Sequence, residues 1–288
     1  MIPKEIGIFK HYNKRPNAIK YGFLYDHLFE TTLPQENERM IRVFLPDDYF
    51  THTDKRYGVM YMSDGQNLVD KYLTQYDEWD IDVRNHEMMK NGYDGLIYVG
   101  LDSPKDSYVR GAEMFPETLQ AKAKYQREGL AACASIYLDY LFDVVKPIID
   151  KTFRTIPDRN HTIFGGSSMG GLIGFYAGFY RQDVISKVLC YSPGFILAPS
   201  KVMNRFTIDL IKQYGSNVKI ALLSGGTGFE KQFIKPTCHM YLFLLKHGFK
   251  PSQLDLLIDS SGIHHESFWS KHFIRSMEFL LNDGNDAN

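Results

Sequence analysis

The chain carries only three cysteines, two tryptophans and a net charge of -1 across 288 residues, and each scarcity removes a class of protein. Cys133, Cys190 and Cys238 are odd in number, widely spaced and free of any C-x-x-C pair. That pattern argues against a disulfide framework and reads as buried thiols in a reducing compartment. With 33 Lys and Arg against 34 Asp and Glu, the usual electrostatic warrant for nucleic acid or an anionic membrane surface is missing. The expected partner is a small or neutral molecule. No apolar run reaches the length that spans a bilayer, and the opening residues MIPKEIGIFKHYNKRPNAIKYGF lack the apolar core of a signal peptide. A soluble, cytoplasmic protein is expected. Without an internal repeat, a low-complexity tract or a Pro-, Gly- or Ser-rich linker, residues 1-288 read as one domain, with 1-35 as an N-terminal extension and edge-strand region.

What is present is a chain with 44% hydrophobic residues, enough to bury a full core. Strand-sized apolar runs occur at Ile41 to Leu45, Gly58 to Met62, Leu96 to Leu101, His161 to Phe164, Val188 to Tyr191, Ile220 to Leu223 and Leu254 to Ile258. Helical patterns lie at Leu172 to Phe179, Ser135 to Phe153, Lys201 to Tyr214, Phe233 to His247 and His265 to Leu281, with Gly215 and Gly248 as stops. The alternation predicts an α/β fold: a mostly parallel sheet covered on both faces, with an antiparallel edge where no helix separates Arg42 from Met62. Those early strands could also pair between subunits, so a homo-oligomer stays open. The stretch Asp102 to Arg127 reads as a long irregular loop; holding Met114 and Phe115, it could roof a site and supply an apolar acyl pocket.

Between the run ending at Phe164 and the helix from Leu172 lies Gly165-Gly166-Ser167-Ser168-Met169-Gly170-Gly171. Only one frame fits G-x-S-x-G, making Ser168 the candidate nucleophile and Ser167 its neighbour. The glycines fit a sharp strand-to-helix turn, where side chains two residues either way would collide with the strand and helix. The structural alternative is a glycine-rich turn that merely lets a helix pack closely on a sheet. A serine hydroxyl needs a base and an acid that orients the base. His264, after the last predicted strand and before the final helix, suits the base. Glu230, the only carboxylate after Ile220 to Leu223, is the chosen acid, with Asp255 and Asp259 as fallbacks. A tetrahedral intermediate also needs N–H donors, and the backbones of Met169 and Gln66 are expected to supply them. His264, His265, Glu266 and His272 cluster in sequence but do not make H-E-x-x-H, so no metal is expected. No cofactor is required.

Several longer motifs occur in order: YMSDGQNLVD from Tyr61, EWDID from Glu78, VGLDS from Val99, then Arg110, Glu113 and Pro116, KPIIDKTFRT from Lys146, HTIFGGSSMGGLIGFYAG from His161, YSPGF from Tyr191 and GIHHESFW from Gly262. In these the chain resembles the Putative esterase family of the α/β-hydrolase superfamily, which includes esterase D type S-formylglutathione hydrolases, siderophore esterases, some feruloyl esterases and the mycolyltransferases. The resemblance spans about Arg42 to Leu281. It implies an α/β-hydrolase fold and a serine esterase acting through an acyl-enzyme on small soluble esters. Acyl transfer or thioester hydrolysis by the same triad, or a non-catalytic binding protein of that fold, are the alternatives. It also implies Ser168 as nucleophile, His264 as base, Gln66 and Met169 as oxyanion donors, and a substrate-side place for Trp79, whose structural alternative is a buried aromatic. Arg110 and Glu113 resemble a recurrent pair of siderophore-esterase-like members and are read as ordering their loop before contacting substrate. The natural ester is not legible.

Overall fold

Alternating apolar strands and helices build a single ten-stranded sheet in the computed structural model, which describes residues 2–15, 18–74, 76–119 and 129–282. The first four strands, β1 Glu5–Ile6, β2 Phe9–His11, β3 Phe23–Glu30 and β4 Glu38–Leu45, form an antiparallel meander. The remaining strands, β5 Gly58–Ser63, β6 Leu96–Leu101, β7 Thr162–Ser167, β8 Lys187–Tyr191, β9 Lys219–Gly225 and β10 Leu254–Asp259, run parallel to one another. Spatially the order is β1-β2-β3-β4-β6-β5-β7-β8-β9-β10. The order reverses around β5 and β6, so the chain leaves β5 and β7 on opposite crossovers and a crevice opens at their carboxyl ends.

Among the described residues eight α-helices connect or cover these strands: α1 Ile81–Lys90, α2 Ser107–Met114, α3 Ala134–Asp139, α4 Lys146–Thr152, α5 Met169–Tyr180, α6 Ser200–Tyr214, α7 Lys231–Lys246 and α8 Glu266–Leu281. Strand periodicity sorts the core into two layers. On β5, Val59 and Tyr61 join the apolar cluster under α5, whereas Met60 and Met62 join the one that holds Trp79, Phe273 and Met277. Strands β5 to β8 are buried along their whole length. That is why they read as continuous apolar runs rather than alternating ones.

Two expectations need correction. The helix anticipated from Ser135 to Phe153 is interrupted by a wider π-helical turn, Tyr140–Val145, between α3 and α4. The stretch Asp102 to Arg127 is not wholly irregular, because α2 forms inside it, capped by the Asp106 side chain accepting from Tyr108 N–H; residues 120–127 lie outside the described residues. Helix α2 is held to β4 by Arg39, which grips Glu113 with two bonds of 2.9 and 2.6 Å while both side chains are buried. Glu113→Ala would take the buried carboxylate from a buried guanidinium and leave it the half-buried Glu36 and the Asp102 carbonyl. An expected loss of about 3–5 kcal/mol in unfolding free energy follows, measurable by urea titration. Among the described residues no helix is long and apolar enough to cross a membrane.

Candidate active site

Ser168 sits at the junction of β7 and α5 with φ 59° and ψ -116°, a strained backbone for a residue with a Cβ. Three backbone bonds hold it there: its N–H donates to Tyr191 O (2.9 Å), and its carbonyl accepts from Gly194 N–H (2.9 Å) and Leu172 N–H (3.1 Å). The glycines around it are required by space. A Cβ on Gly166 or on Gly170 would run into Ser63 Oγ, and one on Gly171 would lie 2.7 Å from Tyr191 O. Ser167 ends β7 and is buried, whereas Ser168 is half-exposed at the mouth of a cleft of about 360 Å³.

His264 faces the same cleft. Its ring stacks on Phe233 at 4.8 Å and meets Trp269 edge-on at 5.0 Å, leaving the imidazole little freedom to turn. Its Nδ1 lies 2.5 Å from Glu230 Oε2. Glu230 closes the turn Gly228–Glu230 ahead of α7 and is fully buried. The other oxygen, Oε1, accepts from Ser192 Oγ (2.6 Å), Gly225 N–H (2.8 Å) and Ser224 Oγ (3.3 Å). Trp269 Nε1–H donates to Ser192 Oγ at 2.9 Å, so the acid is fixed from several sides. The fallback acids are engaged elsewhere: Asp255 with Arg275, and Asp259 with His272, Lys271 and Ser261. Since Nδ1 faces a carboxylate, its proton belongs there and Nε2 is left free to accept one. Among the described residues no hydrogen bond joins Ser168 Oγ to His264 in this ligand-free geometry; such contacts commonly tighten only when substrate arrives.

Opposite the serine, the turn Gly65–Asn67 follows β5. Gly65 packs directly on the backbone of β6, with room for no side chain: a Cβ there would lie 2.5 Å from the Gly100 carbonyl carbon. The Gln66 side chain locks to Ser103 reciprocally, Nε2 donating to Ser103 Oγ (2.8 Å) and Oε1 accepting from Ser103 N–H (2.9 Å). The backbone N–H groups of Gln66 and Met169 donate to no protein acceptor among the described residues. Asp64, at φ 57°, is held by both nitrogens of an Arg110 fork at 2.6 and 2.7 Å. Burial alone would raise the Asp64 carboxyl, but the Arg110 charge and hydrogen bonds, with those of Ser103 and Gln66, outweigh it and hold it below its ordinary value. Arg110 thus ties this turn to α2, and it also lines the cleft.

Three expected substrate contacts are not brought to the cleft. Met114 and Phe115 are buried in the main core, because α2 turns their side chains inward, so they form no acyl pocket. Trp79 is likewise buried, stacked on Tyr191 at 5.6 Å and on Trp269 at 5.8 Å, the structural alternative. The sequence reading missed Ser192, Glu266 and Asn67. Each lies inside a motif already singled out, but only the fold shows that they meet. His264, His265 and His272 go to separate partners, and among the described residues no group of His, Cys, Asp or Glu is arranged to hold a metal ion.

A mostly parallel sheet with a serine on a strand-to-helix turn, followed in chain order by a buried acid and a histidine it holds, is the arrangement of the α/β-hydrolase fold. Residues 34–273 match the family described as Putative esterase, and the chain belongs to that family. Among curated proteins, the uncharacterized protein YbbA of Bacillus subtilis (strain 168) is 26% identical over 149 residues, covering 49% of this chain and 58% of that protein. Solved structures share the fold. A feruloyl esterase module from Clostridium thermocellum complexed with sinapinate superposes with a TM-score of 0.67 at 14% identity, covering 98% of this chain and 97% of that one. The enterobactin esterase from Shigella flexneri gives 0.67 at 14%, covering 89% and 58%. The S-formylglutathione hydrolase from Staphylococcus aureus gives 0.61 at 13%, covering 91% and 98%. Membership of this family supports ester hydrolysis.

Proposed function

We propose that this chain is a serine carboxylic ester hydrolase that works through an acyl-enzyme on a small soluble ester. The observation that carries the reading is the 2.5 Å contact between His264 Nδ1 and the fully buried Glu230, on a ring that faces the cleft of Ser168. His264 Nε2 takes the Ser168 proton as Oγ attacks the ester carbonyl, and returns it to the departing alcohol; water then repeats the sequence on the acyl-enzyme. Glu230 keeps the imidazole in the tautomer that makes Nε2 a base and stabilises the imidazolium that forms. The amides of Gln66 and Met169 receive the oxyanion, the second favoured by the positive end of α5. The experiment is active-site labelling. The folded protein should react stoichiometrically with a fluorophosphonate probe at Ser168, read by mass spectrometry of the modified peptide, and Ser168→Ala should stay unlabelled. A folded wild-type protein that takes up no probe, or takes it up elsewhere, would remove the reading.

A further inference from the structure

A second carboxyl group shares the cleft with the triad, and the reaction as described does not use it. Glu266 opens α8 two residues after His264, is 5% exposed, and lines the cleft beside Ser168 and His264. Its Oε1 accepts a 3.0 Å hydrogen bond from Asn67 Nδ2. Asn67 is also buried, directly follows Gln66, and its carbonyl accepts from Trp79 N–H at 2.8 Å. The Oδ1 of Asn67 is buried with no partner, so the Glu266 bond is the only hydrogen bond its side chain makes among the described residues. This one contact joins the loop that carries the base to the loop that carries the expected oxyanion donor.

We propose that Glu266 is a positioning residue of the catalytic site, its carboxyl acting through Asn67 to hold the oxyanion loop against the base loop and placing an ionisable group beside His264. The inference rests on the serine hydrolase reading above. Its electrostatics follow from the groups that face it. Asp64 comes from the oxyanion loop, and Asp77 from the segment before α1. His264 comes from the base loop; Arg84 and Asp80 spend their hydrogen bonds on Ser270, one turn further along α8. Arg110 is committed to Asp64. Burial first, then the negative charges of Asp64 and Asp77, push the Glu266 carboxyl up to about 7, and His264 opposes the rise. Glu266 is therefore neutral below that pH and charged above it. In the charged form it gives Asn67 a stronger, charge-assisted bond and favours the imidazolium that His264 becomes during attack.

The test is a pH profile of kcat/KM on p-nitrophenyl acetate for wild type, Glu266→Gln and Glu266→Ala. In wild type the Glu266 carboxyl loses its charge on the acid side, so kcat/KM should take a few-fold step down as pH falls through about 7. Glu266→Gln keeps an acceptor for Asn67 but cannot titrate; its profile should lack that step, and its kcat above pH 7 should lie a few-fold below wild type, at the level the neutral carboxyl supports. Glu266→Ala cuts the tie and should lower kcat by roughly 10- to 100-fold with little change in KM, the scale of a lost charged hydrogen bond. Should Glu266→Ala fail to fold, Asn67→Ala severs the same tie from the other side and should give the same loss. A wild-type step in Glu266→Gln overturns the inference, as does wild-type kcat in the alanine variant that folds, or equal kcat losses in Glu266→Gln and Glu266→Ala alongside a lowered Tm. Ser168→Ala separates the two failures. If it retains activity, the hydrolase reading falls; if it is inactive while Glu266→Gln keeps the wild-type profile, only the role of Glu266 falls.

Discussion

Ser168→Ala is expected to lower kcat by about 10⁶ while leaving the Tm close to that of wild type. The size of the effect follows from removing the proposed nucleophile, and it amounts to about 8 kcal/mol of transition-state stabilisation. The fold should tolerate it because Ser168 is half-exposed and is held through its backbone, by Tyr191, Gly194 and Leu172, none of which the substitution touches. The hydroxyl that is removed supports nothing structural. Replacement at Ser167, whose side chain is buried beside the true candidate, makes a control with the opposite pattern. It should retain the fluorophosphonate-reactive serine and show its cost in stability. Steady-state kinetics on p-nitrophenyl acetate, with thermal melting of the same samples, checks both, and activity surviving in Ser168→Ala would put the chemistry elsewhere.

The second large effect belongs to Glu230→Gln, for which a fall in kcat of about 10⁴ is expected. Shape is preserved, but the amide would present its NH₂ to His264 or leave Nδ1 with a weaker acceptor. The first favours the tautomer with its proton on Nε2, which cannot take one from Ser168; the second keeps the tautomer but takes away the charge that stabilises the imidazolium. Because Glu230 Oε1 also gathers Ser192, Ser224 and the Gly225 amide, an alanine there would confuse lost catalysis with lost structure, and glutamine is the cleaner change. Asp255→Asn and Asp259→Asn, which loosen contacts to Arg275, His272, Lys271 and Ser261 and none to His264, should keep kcat near wild type. If Asp259→Asn collapsed activity and Glu230→Gln did not, the acid would have been misassigned.

These residues were legible to different degrees in the sequence, for physical reasons. Strands β5 to β8 announce themselves because burial along their whole length fills them mostly with apolar side chains, and the turn at Ser168 because its crowding admits only glycine at several places. The chain order serine, acid, histidine singles out Glu230 and His264 from the sequence, and the structure brings these two side chains into contact at 2.5 Å. Strands β1 to β3 were read only as an edge region, since short half-exposed strands carry a weak period. Helices α1 and α2 were missed; α1 begins at an Asp80 in the left-handed region with no side-chain cap, and so lacks the usual opening signal. Met114 and Phe115 show the opposite error. Apolar residues in a loop-like stretch invite a pocket assignment, yet a short capped helix turns them into the core. Contacts such as Ser192 with Glu230 and Asn67 with Glu266 leave no periodic trace at all, because they join loops far apart in the chain.

That separation has a consequence for how the protein acquires activity during folding. Asn67 and Glu266 meet across 199 residues, Trp269 and Ser192 across 77, and β10 and α8, which bracket the base, come last among the described elements. Pairings of such long sequence separation form late, since loop-closure entropy must be overcome before they contribute. A folding chain can therefore complete the strained turn at Ser168, which needs only β5, β7 and β8, while its base is still undocked. Returning hydrolysis in a refolding experiment should lag behind returning helical content, and a chain released short of α8 would carry a formed nucleophile turn with nothing to activate it.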